Sequence, residues 1–326
     1  MSETKQNIVN FIKNKGSVTA KEIIDTFSIS RQAAQKHLGE LINLGQIEKI
    51  GSTPKVFYSV KNPEKSVLSV DINSEIKKII DDHYLIITPV GEMKEGLDGF
   101  SFWCERNHLP VAKTADEYVA TLAKYNVWKK NGLIDGTEKI KTTFPNNFGL
   151  DKVFYLDFYA IERFGKTKLG QILLYAKNSQ DKKLIRRIST ESRDTILELI
   201  GRYEIDAVGF IPPTVKREIQ LMKELKNSLA LPLREINIVK ARTEVIVPQK
   251  TLSKVEDRTE NARRSIFVSD GNNKYGNILL IDDAVGSGAT LNEVALKIRQ
   301  QGSCSGKIIG LAITGSFKGF DVISEV

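Results

Sequence analysis

The chain has 326 residues, enough for two or three domains at roughly 100–200 residues each. Hydrophobic residues make up 41% and charged residues 27%, which excludes a wholly disordered, collagen-like or fibrous chain. The formal net charge of +8 attracts polyanions, and no run approaches the ~20 apolar residues of a membrane span, so a cytoplasmic protein with no membrane partner is expected.

The first predicted element is a helix over residues 6–13, with an apolar stripe of Ile8, Val9, Phe11 and Ile12 that Gly16 ends. Thr19 can cap a second helix, TAKEIIDTF, and Glu22 three residues on completes a capping box. Ser30 caps a third, SRQAAQKHLGELINLG, whose first turns expose Arg31, Gln32, Gln35 and Lys36 while Ala34, Leu38, Leu41 and Ile42 face inward. Arginine and glutamine at the start of a helix are the side chains that read guanine and adenine edges in the major groove. IEKIGSTPKVFYSV then alternates about a turn as a β-hairpin with Lys55 near its tip.

Three helices and a hairpin within residues 1–62 resemble a winged helix-turn-helix domain of bacterial regulators. The segment holds nine Lys/Arg against five Asp/Glu, consistent with phosphate contacts. Ser30, Arg31, Gln32, Gln35, Lys36 and Lys55 are the expected contacts to double-stranded DNA, although winged helices also serve as protein-binding modules. The resemblance implies a homodimer. Residues 63–74, with Pro63 and mixed charges, read as a linker.

Residues 75–157 form a central α+β segment rich in aromatics, among them Phe100, Trp103, Tyr118, Tyr125 and Trp128, read as core anchors. KTADEYVATLAKYN has the spacing of an amphipathic helix, and Asn131-Gly132 and Asp135-Gly136 mark turns. The segment is either a cap over a pocket or a dimerisation module. Cys104 and His108 lack a second Cys/His pair nearby, and Cys104 and Cys304 are the only cysteines, so neither a protein-held metal site nor a disulfide framework is expected.

The strongest local signal is GNILLIDDAVGSGATLNEVALKIRQQG. An apolar strand at residues 278–281 and a helix over residues 291–298 flank a loop whose Gly286 and Gly288 let backbone amides and the helix N-terminus cradle a phosphate, aided by the Ser287 and Thr290 hydroxyls. Asp282 and Asp283 stand at the carboxyl end of the strand, where carboxylates can accept from ribose hydroxyls. The loop has no lysine for a Walker A reading and no third glycine for a dinucleotide fingerprint.

Apolar strand, two acids and a Gly/Ser/Thr-rich loop resemble the phosphoribosyl-pyrophosphate signature of type I phosphoribosyltransferases. KARTEVIVPQKTLSKVEDRTENARRSIFV is similar to the R-x-T…P-Q-x-x-L…R-x-x-N…F-x-V run of the ComF-like group, through Arg242, Thr243, Pro248, Gln249, Leu252, Arg258, Asn261 and Phe267. That family's RGFNQ-like stretch is shortened here to KREIQ, and its zinc-binding N-terminus is replaced by the winged helix and central segment.

The resemblance implies a parallel-sheet phosphoribosyltransferase-like domain over residues 158–326, with a helix at TVKREIQLMKELKNSLA and a flexible flap over residues 241–264. It implies Mg²⁺ with phosphoribosyl pyrophosphate. Asp282 and Asp283 are the catalytic pair holding the ribose, while Ala284, Val285, Gly286, Ser287, Gly288, Ala289 and Thr290 hold the 5′-phosphate. Lys216, Arg217, Arg242, Lys250 and Arg258 are candidates for the pyrophosphate and the flap. The expected whole is a multidomain α/β regulator that senses phosphoribosyl pyrophosphate or a related nucleotide, similar to phosphoribosyltransferase-fold purine repressors. An active ComF-like transferase and a DNA-handling accessory protein are the alternatives.

Overall fold

The computed structural model describes residues 3–52, 55–60, 72–213, 215, 217–241, 247, 251–270 and 273–318. The chain divides into two compact units, Met1–Asp71 and Ile72–Val326.

In the first unit, α1 (Glu3–Lys15), β1 (Ser17–Val18), α2 (Ala20–Phe27) and α3 (Arg31–Asn43) precede the antiparallel hairpin of β2 (Ile47–Ser52) and β3 (Lys55–Val60). The short β1 pairs with β3, so the wing has three strands in the order β1-β3-β2. Ile8 and Ile12, one turn apart on α1, pack with Ile23, Ala34, Leu38, Leu41 and Ile47 into one core. The Thr19–Glu22 capping box forms in both directions, and the Ser30 hydroxyl accepts from the Ala33 amide at 3.2 Å.

The second unit opens with α4 (Ser74–His83), β4 (Leu85–Ile87), β5 (Met93–Glu95), α5 (Gly96–Arg106) and α6 (Val111–Asn126). The residue before α4, Asn73, is its N-cap, so the end of the expected linker belongs to this helix; residues 61–71 lie outside the described residues. Then come β6 (Lys129–Lys130), β7 (Leu133–Asp135), α7 (Thr137–Thr143), β8 (Lys152–Phe158), β9 (Ala160–Ile161), β10 (Gly165–Lys166), α8 (Lys168–Ser179) and α9 (Lys182–Arg202). The chain continues with β11 (Ile205–Phe210), α10 (Leu221–Leu229), β12 (Arg234–Glu235), β13 (Ile238–Lys240), α11 (Val255–Ser265), β14 (Ile266–Val268), β15 (Asn277–Val285), α12 (Ala289–Gln300) and β16 (Ile308–Gly315).

Seven strands form one sheet in the order β12-β11-β15-β16-β8-β7-β6. The first five are parallel to their neighbours; β7 and β6 run antiparallel at one edge. Residues of β15 alternate between two cores: Ile278 and Leu280 pack towards α12, Leu279 and Ile281 towards α8, α9 and α10. Both faces are covered, which is why this strand is a continuous apolar run. From β11 the chain moves outward to β12, and from β15 it moves the other way to β16. The crevice beyond the carboxyl ends of β11 and β15 is therefore a topological switch point, where such sheets place ligands.

Four expectations need correction. The boundary at residues 157/158 falls inside β8, which is hydrogen-bonded to β16, so the central segment supplies part of the main sheet. Its aromatics serve that common core: Tyr84, Phe100 and Tyr118 stand in edge-on or tilted contacts near 5 Å, and Phe164 from beyond the segment meets Tyr118 edge-on. The helix expected over residues 214–230 starts only at Leu221; the described residues 215 and 217–220 are not helical, and the Ile219 amide donates to Gln180 Oε1 instead of a carbonyl one turn back. Of the flap at residues 241–264, residues 255–264 lie in α11, which buries Ala262; residues 242–246 and 248–250 are outside the described residues. Finally, β15 runs on to Val285, so Ala284 and Val285 are strand, and the loop proper is residues 286–288. The turn signal at Asn131-Gly132 forms as read, both residues taking positive φ (49° and 73°) between β6 and β7, as a type I′ hairpin turn requires.

Candidate functional site

On the N-terminal unit, α3 is fixed from below by Ala34, Leu38 and Leu41, which are buried. The helical period then puts Arg31, Gln32, Gln35 and Lys36 on the exposed side of its first two turns. Ser30 is spent on the cap. Lys55 opens β3, and its side chain is outside the described residues.

In the second unit a cavity of about 470 Å³ opens at the switch point. Its walls are Asp282, Asp283, Ala284 and Val285 from β15, the loop residues Gly286, Ser287 and Gly288, and Ala289 and Thr290 from the start of α12. Arg217 and Arg258 also line it, so all these sequence-derived candidates meet at one place. Lys216, Arg242 and Lys250 lie outside the described residues. Val285 is buried with its side chain in the core, so at most its backbone is offered to a ligand.

Two glycines shape the loop. Gly288 has φ +76° and caps α12 without a side-chain hydrogen bond, and a Cβ there would stand 2.6 Å from Ile140 Cγ2. Apart from the Ala289 amide, which donates to the Ser287 hydroxyl at 3.5 Å, the first turn of α12 thus leaves backbone N–H groups and the positive end of the helix dipole at the cavity. At Gly286, Arg258 Nη1 lies 3.7 Å from where a Cβ would be, while Arg258 Nε donates to Leu252 O at 2.8 Å. This places a guanidinium beside the loop.

The acid pair is tightly engaged. Asp282 Oδ1 accepts from the Asp283 amide at 2.8 Å, and Lys177 Nζ on α8 sits 2.5 Å from Asp283 Oδ2. Burial, with the adjacent Asp283 carboxylate, pushes the Asp282 carboxyl up to about 7; Lys177 and Lys240 oppose that shift without cancelling it. Lys240, at the end of β13, is held below its ordinary value by burial.

Lys177 and Lys240 were not among the sequence candidates. A lysine closing the apolar run of β13 was a signal for Lys240. Lys177 had none, since it lies more than 100 residues before Asp283 and α8 carries no motif.

Among the described residues, the charged lining of this cavity is four cations, Lys177, Arg217, Lys240 and Arg258, against two acids. A magnesium ion wants open carboxylate oxygens and keeps much of its water. Here one carboxylate is paired with an ammonium, and the other is half-buried and already accepts the Asp283 amide. This donor set does not fit a protein-held Mg²⁺.

Residues 4–59 match a family model described as an HTH domain. No curated protein matches the chain. The head is thus of the kind found in DNA-binding transcription regulators, joined to an α/β unit built on a mostly parallel seven-stranded sheet. No helix among the described residues is long and apolar enough to cross a membrane.

Proposed function

We propose that this chain is a DNA-binding regulator whose α/β unit takes phosphoribosyl pyrophosphate or a related nucleotide as its effector. One observation carries the reading: the acid pair, the glycine loop and the N-terminus of α12 border a single cavity of about 470 Å³, a size suited to a small phosphorylated ligand. The 5′-phosphate would take the amides of residues 286–290, as anions do at helix N-termini. The ribose hydroxyls would donate to Asp282 and Asp283, and Arg217 and Arg258 would face the pyrophosphate. The type I phosphoribosyltransferase resemblance of this segment supports the same assignment. A ligand held more tightly in one of two states of the chain would then shift its affinity for DNA.

The test is calorimetric titration of the full-length chain with phosphoribosyl pyrophosphate in Mg²⁺ buffer, followed by selection of DNA sites with and without it. Saturable binding and a changed DNA affinity are expected. Absence of heat and of any effect on DNA would remove the effector.

A second reading, transfer of the phosphoribosyl group, draws on one further observation. A cavity of about 370 Å³ shares Ala284, Val285 and Gly286 with the first and is lined by Tyr159, Thr314 and Phe317, leaving room for a planar acceptor. In that reaction the C1–O bond to pyrophosphate breaks as a bond from the acceptor to C1 forms. Pyrophosphate release with a panel of bases separates the two readings: release requires an enzyme, and binding without release leaves the sensor.

A further inference from the structure

Lys177 is presented on a helix fixed at both ends. At its start the Thr167 hydroxyl accepts from the Gly170 amide and donates to Phe158 O at 2.7 Å. Beyond its last turn Gln180 Oε1 accepts from the Ile219 amide at 2.9 Å, which ties the helix to the loop forming another wall of the cavity. Leu174, Lys177 and Asn178, at helical spacing, face that cavity. The helix thus carries the Lys177 side chain, 43% exposed, to the rim of the cavity, where its ammonium pairs with Asp283.

An ammonium carries three donors, and Asp283 Oδ2 uses one. The others are available to oxygens of a ligand seated beside the pair. A dication placed against the same carboxylates would meet this positive charge and that of Lys240, which acts on Asp282. The lining already supplies more cationic than anionic groups, so a phosphorylated ligand finds its counter-charges in the protein.

We infer that Lys177 takes the place of a divalent cation in this site, so that the chain binds a ribose phosphate without magnesium. The inference rests on the effector reading above and assigns to α8 the charge that metal-dependent sites recruit from solution. The ammonium bridges Asp283 and the ligand, and Asp283 stays paired before and after binding.

The experiment is titration of the full-length chain with phosphoribosyl pyrophosphate, in Mg²⁺ and in EDTA, for the parent, Lys177→Gln and Lys177→Arg. For the parent, exchanging Mg²⁺ for EDTA should weaken binding less than about threefold. Lys177→Gln should lose at least about tenfold in EDTA and recover in Mg²⁺, the loss expected for one charge-assisted contact. Lys177→Arg should restore part of the magnesium-free binding. A parent that loses more than about tenfold in EDTA overturns the inference while leaving the effector reading intact, as does a Gln variant indifferent to EDTA. If the parent binds under neither condition, the effector reading itself is wrong. Should Lys177→Gln not fold, the parent and the Arg variant still decide.

Discussion

Gly288 and Ile140 are fitted against each other: the absence of a Cβ at residue 288 is what lets the Ile140 side chain, fully buried on α7, lie under the loop of residues 286–288. The central segment therefore shapes the loop from beneath, although 148 positions separate the two residues in the chain.

Gly288→Ala should destabilise the second unit by about 2 kcal/mol, from the positive φ and the contact with a β-branched methyl that cannot swing away. Both tryptophans, Trp103 and Trp128, lie in that unit, so urea unfolding of the whole chain followed by tryptophan fluorescence reports it alone. Ile140→Ala, itself costly by about 2–5 kcal/mol, should make the glycine substitution cheaper in the double variant. Strict additivity would show that the two residues do not press on one another.

Asp282 is expected to act on stability and on ligand binding in opposite directions. Its folded-state carboxyl titrates at about 7 against an ordinary 3.8, so the folded state holds its proton longer than the unfolded one. Its contribution to stability is full below the ordinary value, falls as pH rises towards 7 and stays low above it. Asp282→Asn should therefore stabilise the unit at pH 8 by about 1–2 kcal/mol and flatten the slope between pH 4 and 7, while weakening phosphoribosyl-pyrophosphate binding. Urea midpoints across that range check the first half and calorimetry the second. A variant less stable at pH 8 would refute the buried-charge account.

Arg31→Ala and Gln35→Ala should each cost about 1–3 kcal/mol of discrimination between preferred and altered DNA sites. Both side chains are exposed, so the fold of the head should be unaffected. Selection from a random duplex pool checks this, and an unaltered site preference would show that α3 does not read bases. Lys36→Ala should instead weaken binding evenly across sequences and reduce the salt dependence.

Thr19→Ala removes the capping box that starts α2, and Ser30→Ala removes the N-cap of α3. Each should lower the stability of the head by about 1 kcal/mol, with no change in tryptophan fluorescence. Hydrogen exchange of amides in α2 and α3 is the measurement, because faster exchange confined to the head separates a lost cap from global unfolding.

Local signals carried far in this chain because they act within one turn or one hairpin. The capping box, the inward stripe of α3, the Asn131-Gly132 turn and the apolar run of β15 depend on neighbours no more than a few residues away, and all appear as the sequence indicates. The acids and glycines of residues 282–288 were legible for the same reason. Helix extent was less so: residues before Leu221 have helical spacing, but the described residues 215 and 217–220 are not helical and largely line the cavity, with the Ile219 amide bonded to Gln180.

The sequence by itself determined that there is a separate HTH head, and that an acidic pair stands next to a glycine-rich loop. Only the tertiary structure decided what surrounds that pair. Pairing of β8 with β16 merges the central segment into the main sheet, and packing of α8 across the crevice brings Lys177 to 2.5 Å from Asp283. Spacing along a chain encodes faces of helices and strands. The charge balance of a cavity depends instead on which distant elements the sheet order sets side by side.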